Sequence, residues 1–199
     1  MRGFVSRRGE FVAELDQTER TIISRVVADT SALLGVPLRL GGPDALPDPD
    51  SWARMSWSAE DVEAPTDPAL ARLLPVASTQ DDGVAEEFRR LTDGDLRSAK
   101  TTRLRMVWDE LRRPGEKLHV PKEHALDWAA ALTDIRLVLA ERLEIRDDDD
   151  AEAVYASTLD AEAEDDDVRS ALAMLYSALT WLQESLLQVM LPTLEGPSA

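Results

Sequence analysis

Cysteine is absent from the sequence, and histidine is nearly so. Without thiols the chain cannot form disulfide bonds, thiolate metal sites, cysteine nucleophiles or cysteine-based redox switches. The only histidines, His119 and His124, lie in the run HVPKEH, which lacks the HExxH spacing that brings two imidazoles to one helical face. We therefore expect neither a metal site nor a cofactor.

Common catalytic motifs are missing as well. The chain has no G-x-S-x-G, no P-loop and no G-x-G-x-x-G, and no apolar run is long enough to span a bilayer. The opening MRGFVSRRGEFVAEL lacks the continuous apolar segment of a secretory signal peptide. These absences favour a non-enzymatic protein of the cytoplasm.

Positive charge is also scarce, since 22 basic residues stand against 39 acidic ones and the formal net charge is -17. This balance disfavours generic binding to nucleic acid or to an anionic membrane surface. Hydrophobic residues make up 44% of the 199 positions, which is enough to form a core. The composition favours a folded, acidic protein that attracts basic partner surfaces.

Apolar residues recur mainly at helical spacing, which predicts a mainly α fold: a helical bundle of about five to seven helices. Phe4 to Leu15 read as an N-terminal β-hairpin with its turn at Arg8-Gly9, and residues 117–120 are expected to add a strand. We predict a single domain over residues 1–195, followed by a tail at 196–199.

Two stretches interrupt the helical pattern. A Gly-, Pro- and Asp-rich loop at about residues 36–58 is expected to be mobile. We favour a role for Trp52 and Trp57 in anchoring this loop to the core, and the alternative is that they form a partner site. An acidic belt follows at residues 144–167. Because the belt lacks the spaced ligands and central glycine of an EF-hand, we interpret it as a solvated surface.

Residues 81–113 hold the densest basic run and are predicted to form two helices, separated by a turn at Thr92-Asp93-Gly94. Such a pair resembles a helix-turn-helix, but acids interrupt its basic patch. We therefore favour a core helix with basic flanks. The candidate interaction or ion-pair residues are Arg97, Lys100, Arg103, Arg105 and Asp134.

Lys100 falls on the predicted apolar face of the second of these helices, between Leu96 and Leu104. A buried ammonium requires a carboxylate partner, and Asp134 is our first choice, with Arg97 sharing the pair at its edge. Glu86, Glu87 and Glu184 are the alternatives. If Lys100 instead reaches DNA or a protein partner, it is a binding residue.

The last predicted helix, at about residues 167–191, has a broad apolar face. Met174 and Trp181 lie on its opposite side, so the helix is apolar all round. We expect these two residues to form a homodimer interface. The alternative is that this helix lies at the centre of the bundle.

Four stretches together resemble the actinobacterial DUF2017 family: GFVSRRGEFVAEL, FRRLTDGDLRSAK, WAAALTDIRLVLAERL and LTWLQESLLQVML. The family includes oxidative-stress transcriptional regulators of the AosR type. In a described member, a cysteine pair senses oxidation and the protein acts with a stress-response sigma factor. The resemblance implies a regulator of redox homeostasis, but the sensing chemistry does not transfer to a chain without cysteine.

The function we expect is that of a non-enzymatic transcriptional regulator, or a transcription-associated adaptor, acting with a protein partner such as a sigma factor. DNA binding by the chain alone is expected to be weak, and no membrane contact is expected. The alternative is a protein-interaction module without a DNA role, for example an adaptor in regulated proteolysis.

The acidic belt gives a first prediction. Calcium titration at moderate ionic strength should leave the melting temperature unchanged, because the carboxylates lack the spacing of a coordination site. A ligand that binds only the native state would raise the melting temperature in a saturable way. Such a rise, with defined stoichiometry, would contradict the interpretation as a solvated surface.

Overall fold

A three-stranded antiparallel sheet covers one end of a helical body in the computed structural model, which describes residues 1–38, 65–75, 82–159 and 167–194. Within these ranges the mainly α fold class is confirmed. The strands are β1 (Arg2–Arg7), β2 (Glu10–Glu14) and β3 (Lys117–Pro121). The α-helices are α1 (Gln17–Leu33), α2 (Pro68–Leu73), α3 (Asp82–Leu111), α4 (Ala125–Arg142), α5 (Asp148–Leu159) and α6 (Asp167–Leu194).

The sheet forms as the turn residues predict. Arg8 and Gly9 have φ angles of 49° and 92°, the positive values that a tight two-residue hairpin turn requires. The central strand β2 pairs with β1 on one side and with β3 on the other. Residues from distant parts of the chain therefore share one small sheet, whose buried side chains close the end of the core.

Helix α4 is the central helix of the body, since it contacts α1, α2, α3 and α6. The structure confirms as buried the apolar stripe that helical spacing predicts at Ala125, Trp128, Leu132, Ile135, Leu139 and Leu143. Trp128 packs edge-on against Phe4 of the sheet. Helix α2 is joined to α4 by the Arg72–Glu141 and Arg142–Asp67 ion pairs. The hydrogen bond from Arg142 lowers the pKa of Asp67, whose side chain also caps α2.

Helix α3 corrects one sequence-based prediction, because residues 82–111 form one continuous helix and the turn at Thr92-Asp93-Gly94 does not exist. Asp93 pairs with Arg97 one turn later, which stabilises the helical conformation at this point. Thr92 donates to the carbonyl of Phe88 inside the helix. A glycine within a helix costs about 1 kcal/mol, and the packing of the following turns offsets that cost.

Arg20 is a buried charge that connects α1 to the end of α3. Its Nε donates to the carbonyl of Leu111 at 2.9 Å, and its Nη2 donates to the carbonyls of Glu110 and Arg113 at 2.7 and 2.8 Å. Its Nη1 lies 3.3 Å from the carbonyl of Lys117 in β3. The last carbonyls of a helix lack partners within it, so the guanidinium satisfies groups that burial would otherwise leave unpaired.

The burial of Arg20 also sets the rotation of α1. The capping box at Asp16 and Glu19 starts the helix, and the buried side includes Ile23, Val27 and Leu34. Helical spacing predicts a buried face made of Ile22, Val26, Val27, Thr30, Leu33 and Leu34, but Ile22 is exposed. The predicted buried face of α1 therefore differs from the observed one by a rotation of about one residue. The reason is that the prediction did not place Arg20 in the core.

Helix α6 extends to Leu194 with Pro192 in its last turn, three residues beyond the predicted end. It lies against the edge strand β1, where the backbone N–H of Phe4 donates to Ser185 Oγ at 3.0 Å. Gly3 permits this approach, because a Cβ there would lie 2.8 Å from Ser185 Cβ. No helix in the described ranges has the length and apolarity needed to cross a membrane.

Several predictions from the sequence concern residues that lie outside the described ranges. Trp52, Trp57 and most of the loop at about 36–58 belong to this group. So do the part of the acidic belt at 160–166 and the tail at 196–199. These remain predictions from the sequence alone.

Arg20→Met should lower the free energy of unfolding by at least about 3 kcal/mol, because several buried carbonyls lose a charged donor at once. Arg20→Lys should recover only part of this loss, since an ammonium cannot reproduce the planar fork of donors. Urea denaturation measures both changes. Arg25→Met, at an exposed position of the same helix, is the control and should stay within about 0.5 kcal/mol of the unsubstituted chain.

Candidate functional site

The structure brings Lys100 and Asp134 together between α3 and α4, with Lys100 Nζ 2.5 Å from Asp134 Oδ1. The Asp134 side chain is 5% exposed and that of Lys100 13%. The other oxygen, Asp134 Oδ2, is buried without a hydrogen-bond partner among the described residues. Because the aspartate is almost fully buried, the ammonium provides the charge that its carboxylate requires.

Arg97 lies one turn before Lys100 and forms an ion pair with Asp93, which is itself buried. One of its terminal nitrogens lies 3.4 Å from the carbonyl of Leu34, at the end of α1. This pair therefore lies between α1 and α3, whereas Lys100 and Asp134 lie between α3 and α4. Two adjacent turns of α3 thus place charged pairs against two different helices.

The other predicted basic residues of α3 are more accessible. Arg103 Nε lies 3.1 Å from Asp127 Oδ1, and both side chains are about one-third to one-half exposed. Arg105 is half-buried and borders a cleft. Three of the four predicted basic residues therefore contact carboxylates of the same chain, and the continuous helix leaves no helix-turn-helix in this region.

Both histidines border the cleft next to Arg105, although their sequence spacing did not suggest it. The cleft has a volume of about 490 Å³ and carries charges of both signs. His119 Nδ1 lies 3.1 Å from Glu10 Oε2, which links β3 to β2. Among the described residues, no three His, Cys, Asp or Glu side chains are grouped so that they could hold a metal ion.

Met174 and Trp181, the predicted interface residues, lie on the outer face of α6 and are 57% and 45% exposed. Helix α6 buries its other face against α4 and β1. The alternative prediction, that α6 lies at the centre of the bundle, is wrong, and α4 has that position. A homodimer through Met174 and Trp181 stays a prediction.

A second exposed apolar surface lies at the start of α3. Val84, Phe88 and Leu91 are 56%, 47% and 63% exposed. Their spacing of four and three residues places them on one face, so they form a continuous stripe. We call these three residues the α3 stripe. Like the outer face of α6, it is an exposed apolar surface.

Comparison with known protein families matches most of the chain to a family model. The model described as a domain of unknown function, DUF2017, matches residues 1–190. The chain belongs to the DUF2017 family. No curated protein matches the chain, and no solved structure matches it.

Among the buried polar groups of this DUF2017 chain that sequence reasoning missed, two donate hydrogen bonds to other helices. One is Arg20, and the other is Gln183, which donates to the Ala129 carbonyl at 3.0 Å and to Thr133 Oγ1 at 2.7 Å. Arg136 Nη1 completes the second cluster by donating to Gln183 Oε1 at 2.7 Å. Arg20, Gln183 and Arg136 each have apolar neighbours three or four positions away in the sequence. This helical periodicity was the signal that could have placed them on the buried faces of their helices.

Lys100→Met should lower the free energy of unfolding of the DUF2017 domain by about 3 kcal/mol, because Asp134 is left buried without a counter-charge. The double variant Lys100→Met with Asp134→Leu should recover most of the loss, because it removes both charges. Urea denaturation of the single and double variants measures the coupling.

Arg103→Met is the matched control on the same helix. Its ion pair with Asp127 is partly exposed, so the expected loss is below about 1 kcal/mol. If the Lys100 variants instead keep full stability, the ion pair has no structural role and Lys100 becomes a candidate binding residue.

Proposed function

We propose that this DUF2017 protein is a non-enzymatic, transcription-associated adaptor of the AosR type, which acts in oxidative-stress or redox homeostasis through a protein partner such as a sigma factor. The exposed apolar face of α6 around Met174 and Trp181 is the observation that carries this proposal. Large exposed apolar side chains on a folded acidic domain are typical of protein-interaction surfaces.

The ion pairs of α3 support contact with a protein more than contact with DNA. Arg97, Lys100 and Arg103 each face a carboxylate of the same chain. Binding to phosphate would require these cations to exchange partners, in a chain with a formal net charge of -17. The AosR-type role is therefore proposed with only weak DNA binding by the chain alone, and the partner provides the main contact with a promoter.

The absence of cysteine limits the redox part of the proposal. A signal cannot reach this chain through its own disulfide, so the partner or another component has to sense oxidation. The second candidate function is an interaction module without a DNA role, such as an adaptor in regulated proteolysis. The α6 face supports this candidate equally, because an apolar surface does not specify the partner's activity.

Trp181→Glu should weaken binding of a purified stress-response sigma factor at least tenfold, because a central tryptophan is typically among the residues that dominate an interface. Ile22→Glu is the matched control, since Ile22 on α1 is 44% exposed, close to the 45% of Trp181. Calorimetry measures both affinities, and thermal unfolding checks that both variants fold.

Promoter DNA should bind weakly to the chain alone, and the sigma factor should increase the amount retained. A titration over salt concentration, with and without the sigma factor, distinguishes the two functions. Binding of a proteolytic component with no effect on DNA retention would favour the second function. Equal sigma-factor binding by Trp181→Glu and the unsubstituted chain would contradict the assignment of the α6 face.

A further inference from the structure

Helix α3 has two halves that differ in packing. Between residues 83 and 92 none of the described side chains is buried, and the first buried side chain along the helix is that of Asp93. From there onwards one side of the helix packs on α1 and α4. Helices in proteins gain most of their stability from such packing, and a short helix without it is marginal in water. The Glu87–Arg90 ion pair supports the first half, but it is largely exposed and contributes little.

The boundary between the two halves has a sequence that weakens a helix. Four residues of lower helix propensity than alanine follow one another there: Thr92, Asp93, Gly94 and Asp95. The Thr92 hydroxyl donates to the Phe88 carbonyl at 2.8 Å, a type of bond that slightly destabilises helices. The local sequence is therefore weakest at the point where packing begins.

Gly94 is not required by the continuous helix. A Cβ on this residue would meet no atom within 4 Å, beyond its chain neighbours and the backbone of its own helical turns, so an alanine would have room. Its φ is not among the positive values that Gly9, Gly35 and Gly115 adopt. Neither close packing nor backbone conformation accounts for a glycine here, and its effect on the continuous helix is to weaken it.

The same residues fit a second start of the helix. Aspartate is a preferred N-cap residue, because its carboxylate accepts hydrogen bonds from the free N–H groups of the first turn. With Asp93 as the N-cap, Gly94 is the first helical residue. Asp95 then places negative charge in the first turn, where the helix dipole favours it. A helix that starts here keeps the whole packed half of α3.

We propose that α3 is a helix with two starts. The long form begins at Asp82, as in the structure, and the short form begins at Gly94 with Asp93 as its N-cap, while residues 82–92 are unfolded. Both forms contain the same packed half, so they interconvert by local unfolding and the body stays folded. The α3 stripe exists as a helical face only in the long form. This proposal is independent of the adaptor function, which concerns α6.

Single substitutions of Gly94 select each form. Gly94→Ala should favour the long form, because alanine stabilises the interior of a helix relative to glycine and has room here. Gly94→Pro should fix the short form. Proline is accepted as the first residue of a helix, but in the interior it removes an N–H and clashes with the carbonyl four residues earlier.

Backbone ¹³Cα chemical shifts of the full chain measure the two forms. In the unsubstituted chain the shifts of residues 83–92 should lie between helix and coil values, whereas those of residues 100–111 should have helix values. Gly94→Ala should move the first set towards helix and slow its amide hydrogen exchange about threefold or more. Gly94→Pro should move it to coil. Ser98→Ala, at an exposed position of the packed half, is the control and should leave it unchanged.

Urea denaturation shows whether the body depends on the long form. Gly94→Pro should leave the denaturation midpoint close to that of the unsubstituted chain. Ser98→Pro, within the packed half, should lower the midpoint strongly or prevent folding.

Two results would overturn the proposal. One is a set of helix shifts over residues 83–92 equal to those over residues 100–111 in the unsubstituted chain. The other is a Gly94→Pro variant that is as damaged as Ser98→Pro, because the body would then require the continuous helix. Sigma-factor binding is tested with variants of other helices, so failure of this proposal is distinguishable from failure of the adaptor function.

Discussion

The structure depends on one buried cation, the guanidinium of Arg20. Its donors reach the last carbonyls of α3 and the first carbonyl of β3, so it fixes where the longest described helix ends and where the sheet is completed. Burial lowers the pKa of Arg20, and the nearby Glu110 opposes this effect only in part. The guanidinium nevertheless stays charged at any physiological pH, as arginine does in proteins. The contact is therefore independent of pH over that range.

Charged side chains in this acidic protein lie in two different environments, which composition alone does not distinguish. Inside the body, Arg20, Lys100 and Arg97 are each matched by carbonyls or carboxylates and connect α1, α3 and α4. At the surface, the remaining acids dominate. Exposed apolar side chains include those on the outer face of α6 and at the start of α3, and α4 contacts both helices.

The sequence by itself determined the features that depend on neighbours along the chain. The Arg8-Gly9 turn, the caps at Asp16 and Asp67 and the apolar stripe of α4 all follow from local chemistry or helical period, and the structure has each of them. The proximity of Lys100 and Asp134 was also predictable, since a lysine on an apolar face requires a carboxylate on a neighbouring helix.

Only the tertiary structure decided what depends on partners distant in sequence. Thr92-Asp93-Gly94 has the composition of a turn, but the packing of α3 against α1 and α4 keeps it helical. In the sequence Arg20 has the chemistry of a surface residue, and only the tertiary structure places the end of α3 beside it. Which apolar faces remain exposed on α3 and α6 was decided in the same way, because helical period identifies a face and only the packing of the other helices shows whether it is covered.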